Sequence, residues 1–472
     1  MHPAVKHAKV PGKLLMVGFG CIGQAVLPLL LRHLEVRPGQ ISIIAASDDG
    51  ASIAREFDVD FERHVLTEAN YLSVLTARLS VGDFLLNLSV DVSSLALIEL
   101  CWQRGALYLD ASIEPWAGGY TDTSRTVSQR SNYALREAVL AFAHGKQGGP
   151  TAVVTQGANP GLASSFVRQA LMNMAADSGV PVEKPHGRQV WAALAQGLGI
   201  KVIHIAERDT QTTPQRKQRD EFVNTWSVAG FIGEGTQPSE LGWGSHERGM
   251  PIDGARHGFG CDAAIYLNRP GMATRVRSWT PLEGPFHGFL VTHGESISIA
   301  DHLTLRQNGT VVYRPTVHYA YHPCDDAVLS VHEVAGKNWQ PQSRQRMLRD
   351  DIVRGIDELG VLLMGNPRGV YWYGSRLSID EARRLAPFNS ATSLQVAAGV
   401  LAGMVWALHQ PQAGVVEPDD MDNEMVLAIA QPYLGELVGV YGDWTPLEHR
   451  TQLFAEDLAP DDPWQFRNFR VL

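Results

Sequence analysis

The stretch Lys13-Leu14-Leu15-Met16-Val17-Gly18-Phe19-Gly20-Cys21-Ile22-Gly23 decides the fold: an apolar run stops at three spaced glycines, and residues 24–34 then take up helical apolar spacing. Strand, tight turn and helix follow one another in the order of a dinucleotide-binding unit. Gly18 serves the turn, Gly20 lets backbone approach a pyrophosphate, and Gly23 lets the helix pack closely on the strand. The new helix opens with free N–H groups and the positive end of its dipole. Gly18, Gly20, Cys21, Ile22 and Gly23 are therefore the first cofactor-binding candidates. No G-x-S-x-G elbow is present, and the Cys21 side chain is expected to pack instead of acting as a nucleophile.

Outward from the turn, a second buried-strand run at residues 41–46 ends in Ser47-Asp48-Asp49, about 25 residues past Gly23. An acid there accepts hydrogen bonds from a ribose 2′-hydroxyl and repels a 2′-phosphate, which favours NAD over NADP. Ser47 and Asp48 are candidates, with a plain turn as the alternative. Strand-like runs at 84–90, 106–111 and 151–155, with a helical stretch at 92–104, extend the alternation. The pattern predicts an α/β chain with a Rossmann-type doubly wound parallel sheet over residues 1–161. Ligands gather beyond the carboxyl ends of such strands. The polar strand ends at 87–91, 110–114 and 156–159 add Ser89, Asp91, Asp110, Glu114, Ala158 and Asn159.

Past about residue 160, Trp, Gly, His and Pro punctuate shorter runs, and antiparallel strands are expected at 289–292 and 310–313. This predicts an inserted α+β substrate and dimerisation domain over 162–387. Residues 388–472 are expected to return to the Rossmann domain and to end in an acidic tail. A cleft would lie between the two domains. The apolar run at 396–408, rich in Gly and Ala, is too short for a membrane span and reads as a helix packed inside protein.

Charge and cysteine usage narrow the partners. The formal net charge is −10, and residues 411–472 hold twelve acids and three Arg, so most of the excess is local. No basic face is left for nucleic acid. The tail reads as solvated surface, with a cationic partner as the alternative. The four cysteines are far apart, without zinc or redox spacing, and the N-terminus lacks an apolar secretory stretch, so a cytoplasmic protein with reduced thiols is expected. His318 and His322 lie on a strand-like run, about 13 Å apart by strand rise, and cannot chelate one ion.

Two middle segments carry candidate chemistry. In His204-Ile205-Ala206-Glu207-Arg208-Asp209 a strand-like lead ends in charges. In residues 224–235, Trp226 precedes Gly233-Glu234-Gly235, whose glycines allow an unusual backbone and close ligand approach. A core indole and a surface turn are the respective alternatives. His293 ends a strand and suits a proton carrier, or else a structural histidine.

Together the glycine turn, Gln156-Gly157-Ala158-Asn159-Pro160-Gly161, the Glu207 segment, the 226–235 stretch and Asn389-Ser390-Ala391-Thr392-Ser393-Leu394-Gln395 resemble the bacterial homospermidine synthase family, relatives of saccharopine dehydrogenases, along nearly the whole chain. The glycine turn is common to many enzymes; the 226–235 stretch is far more specific. The resemblance implies a homodimeric transferase that recycles NAD within each cycle and takes putrescine or spermidine as substrate. It also implies that Glu207, Asn159 and His293 hold the inner amine, and that Glu234 holds the outer one. Trp226 would steady cationic intermediates through its π face, with Glu114 and Asp91 toward the nicotinamide or the entrance. Asp357 and Glu358 are further acids without an assigned place. A diamine dication calls for acids and aromatic faces instead of an Arg clamp. The competing readings are a saccharopine-type or carboxynorspermidine dehydrogenase and an NAD-binding redox sensor.

Overall fold

The computed structural model describes residues 5–146, 148–181 and 185–471. Its first sheet takes six strands from the N-terminal part: β1 (Leu14–Val17), β2 (Ile41–Ala45), β3 (Asp60–Arg63), β4 (Phe84–Asn87), β5 (Leu107–Asp110) and β6 (Ala152–Val153). They are parallel throughout, in the order β6-β5-β4-β1-β2-β3. Apolar runs such as Leu14–Val17 and Phe84–Asn87 are buried along their whole length, as strands covered on both faces must be. Helix α1 (Cys21–His33) leaves β1, α2 (Ser94–Arg104) joins β4 to β5, and α3 (Asn132–Ala143) precedes β6. Strand order reverses between β1 and β4, which opens a crevice at their carboxyl ends.

The second sheet is mixed and has eleven strands. Its centre holds β7 (Val202–Asp209), β8 (Thr316–His322), β9 (Ile356–Met364) and β10 (Val370–Ser378), in the order β8-β7-β9-β10. β7 is parallel to β8, which aligns Tyr321 with Glu207, and antiparallel to β9, which aligns Asp357 with Asp209. Side chains alternate along a strand, so Glu207, Asp209, Tyr319, Tyr321 and Asp357 share one face. Helices α4 (Val228–Thr236) and α5 (Gly294–His302) flank that face. The strand expected at 289–292 instead runs Gly284–Phe289; the Thr310–Tyr313 strand pairs antiparallel with Leu305–Gln307.

Helix α6 (Ala391–His409) is long and apolar enough to cross a membrane, yet 89% of its most apolar window is buried against protein. Its small residues make that seat possible. A Cβ on Gly399 would lie 2.0 Å from the Gly157 carbonyl, and one on Gly403 would meet Gln156 and Leu109. The strand Val415–Val416 then adds to the first sheet beside β6. Beyond it the chain departs from the expected return of 388–472 to the nucleotide domain: Glu436–Gly442 pairs with β10, and Arg470–Val471 with Arg275–Thr280, both in the second sheet. The apolar residues of 436–442 come in adjacent pairs, Leu437-Val438 and Val440-Tyr441, and nothing in the sequence distinguishes which sheet they join.

The acidic C-terminal segment is held in cis. Asp420 pairs with Arg188, and Asp462 with Lys201. Buried Arg136 on α3 donates to both oxygens of Glu417 at 2.6 and 2.8 Å, to Asp301 of α5 at 3.0 Å and to Glu137. It thereby ties both domains to the returning chain. Breaking such a buried pair leaves unpaired charge, so Arg136→Ala is expected to destabilise the protein by about 3–5 kcal/mol in chemical denaturation; a loss below about 1 kcal/mol would contradict it.

Candidate active site

The glycine turn is shaped for an anion. Gly18 has φ +87°, and a Cβ there would lie 2.5 Å from the Ser89 amide nitrogen, so only glycine fits against the 88–89 backbone. A Cβ on Gly23 would come within 2.9 Å of the Gly18 carbonyl, the close helix-on-strand contact expected of it. Gly20 faces open space, with nothing within 4 Å of the point a Cβ would occupy. It is the N-cap of α1 without a side-chain cap, and the first turn holds no acid. Free N–H groups, an open approach and a positive dipole end are the features a pyrophosphate needs.

From this turn a cavity of about 670 Å³ runs between the two domains. Gly18, Gly20, Cys21, Ile22 and Ser47 line one end, and Ser89 and Asp91 its middle. Glu114, Asn159, Glu207, Trp226, Glu234 and His293 line the other end. Candidates read from segments more than 200 residues apart in sequence thus share one space.

Four cofactor candidates lie off its wall. Gly23 sits behind the turn, in helix packing. Asp48 is 61% exposed and pairs with Arg63 of β3 at 3.0 Å, while Ser47 takes the cavity position and bonds Asp49. Asp110 is fully buried; it accepts from the Tyr108 hydroxyl and from the Thr155 amide, and so fixes the β5–β6 junction instead of facing a ligand. Ala158 is packed in the core, where its carbonyl receives the Ala163 amide. Burial pushes the Cys21 thiol up to about 11, so it stays protonated, as expected of a packing residue. His64, Leu66 and Thr67 after β3 also line the cavity and carry no motif that sequence reasoning detects.

At the far end the sheet supplies the acids. Asn159 Nδ2 donates to Glu207 Oε2 at 2.6 Å, and the Tyr319 hydroxyl donates to the same oxygen. The Trp226 indole N–H donates to Tyr321 Oη at 2.9 Å, and Tyr321 stacks on Tyr319. The glycines around Glu234 do not adopt an unusual backbone: they lie inside α4, where Gly235 packs closely and Gly233 meets nothing nearer than Tyr120 at 4.0 Å. A Cβ on Gly235 would strike Met272 at 2.4 Å, and one on Gly230 would press the Trp226 ring at 3.1 Å. Asp357 joins the face that holds Glu207, bonded by the Thr392 hydroxyl, whereas Glu358 points to the opposite face and accepts the Leu282 amide. The two tyrosines and Asp209 were legible only as members of an alternating strand.

Burial dominates the electrostatics. It raises Glu207 to about 7, against hydrogen bonds from Tyr319 and Asn159. Burial, then the charge of Glu234, raises Glu114 to about 8. His293 donates to Glu234 and Glu295, each at 3.1 Å. Burial works against its charge, but Glu295 and Glu234 outweigh it and lift the imidazole to about 10. His293 is therefore an imidazolium near neutrality, able to give a proton but not to take one. Neutral-range carboxyls beside a fixed cation suit amine deprotonation.

Unfolded carboxyls titrate near 4.3 and unfolded histidine near 6.5, below the folded values of Glu114 and His293. The folded state therefore holds more protons, and stability falls as pH rises through this range. Between pH 7.5 and 8.5, where unfolded histidine is already about nine-tenths neutral and the raised groups still hold extra protons in the folded state, the ligand-free melting temperature should drop, and Glu114→Gln should flatten the drop. A rising or flat wild-type profile in calorimetry would contradict this.

Known proteins share this architecture. Residues 14–153 match the saccharopine dehydrogenase NADP binding domain and residues 157–443 the saccharopine dehydrogenase C-terminal domain. Homospermidine synthase of Blastochloris viridis is 54% identical over 468 residues, 98% of each chain. The Mesorhizobium japonicum enzyme is 50% identical over 472 residues, covering 98% of this chain and 97% of its own. The chain belongs to the homospermidine synthase family. The crystal structure of the Legionella pneumophila homospermidine synthase in complex with NAD superposes with TM-score 0.92 at 49% identity, 98% of each chain. Yeast saccharopine dehydrogenase (L-Glu forming), at 9% identity and TM-score 0.50, shares the fold alone.

Proposed function

We propose that this member of the homospermidine synthase family condenses two putrescines to homospermidine with release of one ammonia. One observation carries the reading: the cavity that begins at the glycine turn ends among Glu114, Glu207, Glu234 and Trp226, and no Lys or Arg lines it among the described residues. A substrate with a carboxylate, as a saccharopine-type dehydrogenase takes, would find no cationic partner there. A redox sensor without chemistry gives the acids and indole no purpose.

NAD, held by the Gly18–Ile22 turn, supplies a hydride acceptor that becomes the donor later in the same cycle. Glu207 takes the proton that one putrescine ammonium must lose before its carbon can give up hydride. Asn159 and Tyr319 both hold Oε2, which aims the carboxyl. Ammonia leaves as the second amine adds to the resulting imine, and the new Schiff base is reduced to the secondary amine. Glu234, with His293 at its side, and Glu114 hold the outer ammonium, and Asp91 stands at the exposed edge. Trp226 offers its face to the cationic imine, an interaction worth about 0.5–2 kcal/mol. Spermidine is a second amine substrate in this reading, and the enzyme is a cytoplasmic homodimer that binds neither nucleic acid nor membrane.

The purified protein with putrescine and substoichiometric NAD⁺, without NADH, should release ammonia over many turnovers; a single stoichiometric burst would mean a dehydrogenase. Trp226→Ala should lower kcat by about 10- to 100-fold with NAD affinity within about twofold. Asp48→Ala, which frees Arg63 at the ribose end, should raise NADP affinity about tenfold by titration calorimetry; unchanged affinity would remove Asp48 from coenzyme choice.

A further inference from the structure

Asp209 is a buried acid for which the proposed reaction has no use. It is fully buried, does not line the cavity, and lies two residues along β7 from Glu207. Three hydrogen bonds hold its carboxylate, although the acids Glu207 and Asp357 share its face. Oδ2 accepts the Thr225 hydroxyl at 2.6 Å, and Oδ1 accepts the Gln211 backbone and side-chain amides at 2.8 and 3.1 Å. Each donor leads back to the cavity. Thr225 immediately precedes Trp226, on the short link between the strand Glu221–Asn224 and α4. Gln211 donates its other N–H to Thr392 at 3.1 Å, accepts the Ala391 amide at the start of α6, and Thr392 in turn donates to Asp357.

We infer that Asp209 is a positioning residue that sets the Trp226 indole through Thr225 and the Asp357 carboxyl through Gln211 and Thr392. The indole is gripped at two points, by Asp209 through the backbone of its neighbour and by Tyr321 at its ring nitrogen. A buried carboxylate suits this task better than a neutral amide, because it receives three bonds at once without a donor of its own to satisfy. A bulk ordering role is the alternative, and it predicts loss spread over the whole fold.

The inference rests on the proposed amine chemistry only for its kinetic readout. Asp209→Ala and the isosteric Thr225→Val should each lower kcat/KM for putrescine by about 10- to 100-fold. Affinity for NAD should stay within about twofold by titration calorimetry. In a Trp226→Ala background Thr225→Val should cost less than about twofold further, since the element it positions is gone. Losses that multiply in that background, or a parallel fall in NAD affinity, would overturn the inference. Thr225→Val keeps the question answerable if Asp209→Ala fails to fold. Hydrogen exchange gives an answer without any substrate: amides of 224–228 should exchange faster in both variants, while those of the glycine turn do not change. Uniform acceleration, or none at 224–228, would overturn it. Wild-type protein inert toward putrescine but with the local exchange result would instead sink the reaction and leave the positioning role standing.

Discussion

Taking carboxylates out of water is the constraint on which the cleft depends. Each buried acid must be met by a proton, by hydrogen-bond donors or by a cation. Here all three solutions coexist within one space. Glu207 and Glu114 are raised toward neutral pH by burial, Glu207 is partly held by Asn159 and Tyr319, and Glu234 and Glu295 share the imidazolium of His293. The uncompensated remainder is a cavity wall that favours positive charge over neutral or negative ligands. A diamine fits that demand because it brings two charges on a slender apolar stem.

The scaffold makes the arrangement by register. Parallel pairing of β7 with β8 and antiparallel pairing with β9 put three acids and two tyrosines on one face. The helix-borne groups, Glu234 and His293 at the start of α5, approach from the opposite side. The end at the glycine turn is built separately, by close backbone packing with Ser47, His64 and Thr67 beside it. The glycine turn and the acid-rich sheet face thus abut in one cavity.

Much of this was legible in the sequence because it depends on local rules. Gly18, Gly20 and Gly23 each do what their spacing requires, and strand–helix alternation announces the parallel sheet. The specific stretch at 226–235 and the lone Glu207 end in the same cavity. What could not be read was set by long-range pairing. Asp48 is turned outward by Arg63, fifteen residues on. Asp110 is consumed by Tyr108 and Thr155. The glycines beside Glu234 look like a loop signal, yet they lie in a helix, where Gly235 packs against Met272. Tyr319 and Tyr321 resemble ordinary strand residues until β8 is laid beside β7.

The path of the C-terminal segment has a further implication. It gives one strand to the first sheet, at Val415–Val416, and two to the second, at Glu436–Gly442 and Arg470–Val471. Neither half of the molecule is then an autonomous folding unit. A fragment cut at the sequence boundary near residue 161 would expose raw sheet edges and a naked seat for α6. Synthesis must pass residue 416 before the first sheet is complete and residue 471 before the second, so neither half of the cleft matures on the N-terminal part alone.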